Sequence, residues 1–276
     1  MRPITVDSRN RETWASTSTW FGTSSGWSDN GEPIALAALS PLVRDQPLLD
    51  VGVGGGRTTA ILHLLSSDYV AVDYSAEMVD VFRRRYPGAE IHHADARDLS
   101  QFDDNRFGLV YFSFNGIDSV DHDGRALVLA EFHRVLRPGG HVLFSTLNKT
   151  GPAYRGGPWR SASTGDSLPY RAARFLGRLP FRIPAYAASY RNWWQNRQLH
   201  VDHGSWALRT LGAHNYGLVA HFTTLAAELE ALVTIGFEPV TTFGDDGREL
   251  QPADDLSAIN WFHISARKPM TAPAAS

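Results

Sequence analysis

The 276-residue chain contains no cysteine. This excludes disulfides, thiolate zinc sites, iron–sulfur clusters and a cysteine nucleophile, and nothing marks an oxidising compartment. Lysine is nearly missing too: 24 of the 26 basic residues are arginine. No apolar run approaches the ~18 residues of a membrane span. The N-terminal MRPITVDSRNRETW is polar and lacks an apolar signal core. A cytoplasmic protein without a stable membrane anchor is therefore expected. Asp, Glu and His do not cluster at ligand spacing, so no metal is expected.

Net charge is −3, unevenly spread. Residues 149–209 hold ten Lys and Arg against Asp166 and Asp202, or +8, which leaves −11 for the rest. Residues 1–32 are polar with spaced aromatics (Trp14, Trp20, Phe21, Trp27) and read as an N-terminal aromatic arm or lid. Residues 33–44 read as a short helix with Pro33 in its first turn. Strands and helices then alternate. The strands are 47–54, 68–75, 89–95, 106–114 and 141–148, and the helices are 57–66, 76–86 and 123–137, the last stopped by Pro138-Gly139-Gly140. Short apolar strands in this alternation predict a parallel sheet covered on both faces. Residues 149–213 break the pattern and read as an inserted cap of short helices. A helix at 223–237 and a strand pair at 239–247 and 258–268 complete the core within 214–268, and 269–276 read as a disordered tail.

The most specific feature is LLDVGVGGGRTT at 48–59: a strand delivers Asp50, then Gly52, Gly54 and Gly56, then a helix. Glycines let the backbone turn sharply and a ligand approach closely. A dinucleotide fingerprint starting at Gly52 would need a glycine where Arg57 stands. An acid just before the glycines suits a cationic amino-acid moiety. Asp73 ends the second strand about 20 residues later, where a carboxylate bonds ribose hydroxyls. A helix N-cap is its other reading, with Ser75 competing for that role.

The D-x-G-x-G-x-G spacing resembles the first motif of class I S-adenosylmethionine-dependent methyltransferases. Asp95 in HHADARDL, with Ala96 beside it, matches the family's acid for the adenine amino group, and Asp98 is the alternative. LVYFSFNGIDSV (109–120) matches the strand end near the sulfonium, which favours aromatic faces such as Phe112 and Phe114. FHRVLRPGGHVLFST (132–146) resembles the family's helix–Pro-Gly-Gly–strand passage. The resemblance covers 33–148 strongly and 223–268 weakly. It implies an α/β, Rossmann-like, doubly wound, mostly parallel seven-stranded sheet. It implies S-adenosyl-L-methionine held by Asp50, Gly52, Gly54, Gly56, Asp73, Tyr74, Met78, Asp95, Ala96, Phe112 and Phe114. The wording NGIDSVDHDGR and FSTLNKTGP looks like bacterial methyltransferases of small natural products.

Methyl transfer is an in-line displacement in which alignment of acceptor and methyl group supplies much of the catalysis. A base is needed only if the acceptor must lose a proton. The aromatic cap and arm are expected to bind a small, partly aromatic or apolar acceptor through Trp20, Trp159, Tyr190, Trp193, His214 and Tyr216. His203 and His122 are the candidate bases, and Asn115 could orient an acceptor amine or hydroxyl. The +8 cap allows an anionic acceptor, or is simply a solvated Arg-rich surface. Nucleic acid is disfavoured as a partner, since no RNA-binding module is present, and a homo-oligomer is left open. The alternatives carried are an NAD(P)-dependent oxidoreductase, a nucleic-acid methyltransferase and a non-methylating protein that keeps the cofactor fold.

Overall fold

The computed structural model describes residues 4–21, 25–156 and 185–270, residues 17–21 by their backbone alone. Strands β1 (Leu48–Val51), β2 (Tyr69–Asp73) and β4 (Phe107–Phe112) are buried at every position, as expected of parallel strands covered on both faces. Side chains alternate between two cores with period two. Leu49, Val51, Val70, Val72, Val110 and Phe112 pack on one face with Phe132 and Leu232. Leu48, Ala71, Leu109 and Tyr111 pack on the other with Leu39 and Phe82.

The covering helices are α2 (Gly31–Val43), α3 (Thr59–Leu65), α4 (Ala76–Arg85), α5 (His122–Val135) and α7 (Leu225–Ile235). Local chemistry sets several of their ends. Ser75, Asp121 and Thr224 accept backbone N–H bonds as N-caps of α4, α5 and α7, and Gly236 closes α7 at φ +109°. Ser75, not Asp73, is thus the cap, and Asp73 remains available to the site.

With β3 (Glu90–His93), β5 (Leu136–Asn148), β9 (Glu238–Gly244) and β10 (Trp261–Arg267), the core runs β3-β2-β1-β4-β5-β10-β9, seven strands with β10 antiparallel to its neighbours. Among the described residues the sheet has ten strands, three more than the sequence predicted. β6 (Val201–Asp202), β7 (Trp206–Thr210) and β8 (Val219–Thr223) form the addition. β4 covers β5 only as far as Phe144. Beyond it Leu147 pairs with Phe222 of β8 while its other edge pairs with Trp261. The extra strands therefore take the edge that β4 vacates.

This changes the reading of the cap. Its end is sheet, because β7 pairs with β8 over Trp206↔Thr223 to Thr210↔Val219. A helix, α6, spans 185–196 of it. The N-terminal arm is likewise ordered as a helix, α1 (Val6–Phe21). Its Asn10 is almost fully buried; it donates to the carbonyls of Ser119 (2.7 Å) and Val219 (2.8 Å) and accepts from Val219 N–H. Helix α1 thereby straps across the carboxyl ends of the strands. The predicted tail lies outside the described residues after Met270.

Candidate active site

Two adjoining clefts open at the carboxyl ends of the strands. The first is walled by Asp50, the glycine loop, Asp73, Asp95 and Phe112, and holds about 1270 Å³ of empty space, its open mouth included. Gly54 has φ +55°, and a Cβ built there would meet nothing within 4 Å. The loop is thus held open beside the cleft. Gly52, at φ +62°, is instead pressed on Phe112, whose Cε2 would lie 2.4 Å from a Cβ.

Asp50 is fully buried and accepts from the Tyr69 hydroxyl at 2.7 Å. Burial pushes its carboxyl up to about 7, against the Tyr69 hydrogen bond and the Arg57 charge. Asp73 accepts from the backbone N–H of Gly54 (2.8 Å) and Ser75 (2.9 Å). Burial raises it to about 6 despite those bonds. A carboxylate has about four lone-pair sites, so Asp73 keeps capacity for two more donors. The Tyr74 hydroxyl is buried without a hydrogen-bond partner among the described residues. An open glycine loop, a half-satisfied buried acid and an orphaned hydroxyl fit a nucleoside ligand with vicinal hydroxyls.

Arg57, where a dinucleotide motif would have glycine, turns out to be a brace. It bonds both Glu32 carboxylate oxygens (2.6 and 2.7 Å), the Gly26 carbonyl (2.6 Å) and Ser113 Oγ (3.0 Å), with its guanidinium 5.5 Å from the Phe114 ring centre. Burial alone would push Glu32 up, but the Arg57 hydrogen bonds and charge outweigh it and hold the carboxyl below its ordinary value. At the far end Asp95 is half-buried and engaged by Arg97 and by Arg11 of α1. Burial would raise it, but these guanidiniums hold it below the usual range.

The second cleft, about 1900 Å³ with its mouth, shares Trp14, Phe114 and Ser119 with the first. Behind Phe112 the chain puts Phe114 (φ +54°) and Asn115 (φ +58°) in the left-handed region. That conformation is costly for non-glycine residues and concentrates at functional sites. It leaves Phe114 exposed between the clefts and Asn115 Oδ1 buried without a hydrogen-bond partner among the described residues. His214 and Tyr216, also left-handed, line the opposite wall with Leu218 and Trp261. Asp118 lies in the floor, ion-paired to Arg125, which also binds Glu228 at 2.7 Å. Burial pushes Asp118 up to about 7 against the charge of Arg125.

The structure brings all the predicted cofactor residues together except Gly56. Asp50, Gly52, Gly54, Asp73, Tyr74, Met78, Asp95, Ala96, Phe112 and Phe114 line the first cleft. Gly56 packs on Tyr86 behind the loop, where a Cβ would lie 2.4 Å from the ring. Of the acceptor residues, His214, Tyr216 and Asn115 line the second cleft, whereas Tyr190 and Trp193 on α6 line neither. The Trp20 side chain and Trp159 lie outside the described residues. His203 and His122 are placed away from both clefts. The β6–β7 turn and the start of α5 stack them on Trp206, at ring separations of 4.4 and 4.0 Å. His122 also contacts His221 at 3.1 Å. Their partners are therefore the Trp206 ring and, for His122, His221. Sequence reasoning missed Trp14, Asp118 and Trp261. The first was visible only as an arm aromatic, and the other two needed tertiary contacts to reveal them. Among the described residues no group of three or more His, Asp and Glu could hold a metal, and no helix is long and apolar enough to cross a membrane.

Residues 49–144 match a family model described as a methyltransferase domain. Demethylmenaquinone methyltransferase of Clavibacter sepedonicus is 39% identical over 115 residues, covering 40% of this chain and 45% of that protein. Ubiquinone biosynthesis O-methyltransferase of Hydrogenovibrio crunogenus is 24% identical over 143 residues, covering 46% and 58%. The chain thus spans about half the length of the curated relatives it matches. In fold it is similar to Burkholderia thailandensis 1,6-didemethyltoxoflavin-N1-methyltransferase, solved with 1,6-didemethyltoxoflavin and S-adenosylhomocysteine. The TM-score is 0.58 at 16% identity, over 98% of this chain and 93% of that one. The glycine loop, the seven-strand order and these likenesses converge on one stretch of the chain: residues 49–144 are similar to a methyltransferase domain.

Proposed function

We propose that the protein transfers a methyl group from S-adenosylmethionine to an N, O or C atom of a small, partly aromatic or apolar acceptor. The observation that carries this reading is the pair of adjoining clefts. One is built from the glycine loop and buried acids, the other is aromatic, and Phe114, Trp14 and Ser119 belong to both. The cofactor supplies an electrophilic methyl on a sulfonium. Asp50 faces its cationic amino-acid end, the two remaining acceptor sites of Asp73 take the ribose hydroxyls, and Asp95 serves the nucleobase end. Phe112 and Phe114 offer aromatic faces toward positive charge.

The acceptor lies between Phe114, Tyr216, His214 and Trp261, with Asn115 Oδ1 accepting a hydrogen bond from its N–H or O–H. Alignment is the main catalytic contribution, since two reacting atoms held about 3 Å apart forgo much of the entropy cost of meeting. Neither His203 nor His122 is assigned as a base, because neither lines a cleft. The chemistry of the pocket fits an apolar ring bearing a polar nucleophile. That class includes both specialised metabolites and quinols, the latter supported by the demethylmenaquinone methyltransferase likeness.

Calorimetric titration with S-adenosylhomocysteine tests the cofactor. Micromolar binding to wild type is expected, weakened at least about 100-fold in Asp73→Ala, the scale of two hydrogen bonds to a charged group. No binding to wild type overturns the reading, and equal binding by the variant removes Asp73 from the site. Labelled methyl transfer into phenols, quinols and anionic aromatics then identifies the acceptor.

A further inference from the structure

Asp95 is saturated. Its Oδ1 accepts from the backbone N–H (3.0 Å) and Nε (2.9 Å) of Arg97, and its Oδ2 from Nη2 of Arg97 (2.6 Å) and Nη2 of Arg11 (2.7 Å). Four donors fill about four lone-pair sites. A nucleobase amino group can therefore reach this carboxylate only if one donor leaves. Three of the four belong to Arg97, two residues along the chain and partly fixed by its own backbone. The fourth is brought by α1.

Arg11 is also the more weakly held. Its side chain is 42% exposed, and its other contacts are Asp7 one turn earlier (3.0 Å) and the face of Tyr74, 4.8 Å from the ring centre. Meanwhile α1 is pinned on its other side by the three Asn10 hydrogen bonds to Ser119 and Val219. Release of Arg11 does not require the helix to leave.

We propose that Arg11 and the nucleobase end of the cofactor compete for the same acceptor site on Asp95, so that the N-terminal helix carries a side-chain gate over that end of the cleft. Entry of a nucleoside with an exocyclic amino group displaces Arg11, and its return to Asp95 assists departure of the spent cofactor. The inference rests on the reading of Asp95 given under Proposed function.

The test is calorimetric titration of the full chain with S-adenosylhomocysteine, for wild type and Arg11→Ala, at about 0.05 and about 0.5 M salt. Removing the competitor tightens binding about two- to fivefold, the range of an exposed ion pair. Salt, which weakens the same pair, tightens wild-type binding by a similar factor and leaves the variant's affinity nearly constant. Equal or weaker binding by Arg11→Ala overturns the proposal, as does wild-type affinity that falls with salt. If Arg11→Ala fails to fold, the wild-type salt series decides alone. Absence of binding to both proteins, with both folded, rejects the cofactor reading itself, a result distinct from normal wild-type binding without the predicted gain.

Discussion

Asp50 should make the protein's stability fall as pH rises through neutrality. Its carboxyl titrates near 3.8 in the unfolded chain and near 7 in the folded protein, because it is buried at the end of β1. Between those values the folded state holds a proton that the unfolded state has released. Unfolding stability therefore declines with pH in that window, at about 1.4 kcal/mol per pH unit for one group. Asp50→Asn keeps an oxygen for the Tyr69 hydroxyl and removes the titration. From pH 5, where wild-type Asp50 is neutral, to pH 8, where it is charged, the variant should gain about 2.7 kcal/mol on wild type. At this size that is a melting-temperature difference growing by about 5–10 °C. The assay is thermal or urea unfolding of both proteins in matched buffers at half-unit steps. Taking the difference between them cancels other titrating groups such as Asp73 and Asp118. A difference that stays flat from pH 5 to 8 refutes the assignment. The same linkage predicts that S-adenosylhomocysteine binding near pH 6 releases a proton from Asp50 in wild type, measurable by calorimetry in two buffers of different ionisation enthalpy, and releases about one proton fewer in Asp50→Asn.

Other substitutions separate the site from the scaffold. Gly54→Ala meets no atom, so its cost is the left-handed backbone, about 1–2 kcal/mol of stability. The new methyl beside the cleft should in addition weaken S-adenosylhomocysteine at least tenfold by titration. Arg125→Met leaves Asp118 and Glu228 buried without their shared cation, and urea unfolding should show a loss of about 3–5 kcal/mol.

The core was legible because its signals are local. β1, β2, β4 and the cap Ser75 follow from apolar runs and a capping residue only a few positions apart. The cofactor cleft was legible for the same reason: Asp50, Gly54 and Asp73 sit within one strand–helix–strand unit. Helix α1 was not, since VDSRNRETWASTSTWF has many residues of modest helix propensity. Part of its support comes from Asn10 reaching Val219, 209 positions away. The sheet character of 201–210 was hidden likewise, because β7 pairs with a strand beyond a turn of three successive left-handed residues, His214, Asn215 and Tyr216. Histidines 122 and 203 were chosen by residue type and chain position, and their stacking on Trp206 is a property of folded geometry alone. Arg57 counted in the sequence only against a dinucleotide fingerprint, and the tertiary structure alone supplies Glu32 as its partner.

The handover on β5 has a further consequence. β4 supports that strand as far as Phe144, and β8 takes the same edge at Leu147. The walls of the first and second clefts therefore belong to different sheet segments that meet on one strand. Replacement or remodelling of residues 199–223 alters what the second cleft admits without moving β1, the glycine loop or Asp73. On the proposed function, acceptor choice can thus diverge among descendants of this chain while the donor side stays unchanged, and the same joint marks where chimaeras should be cut.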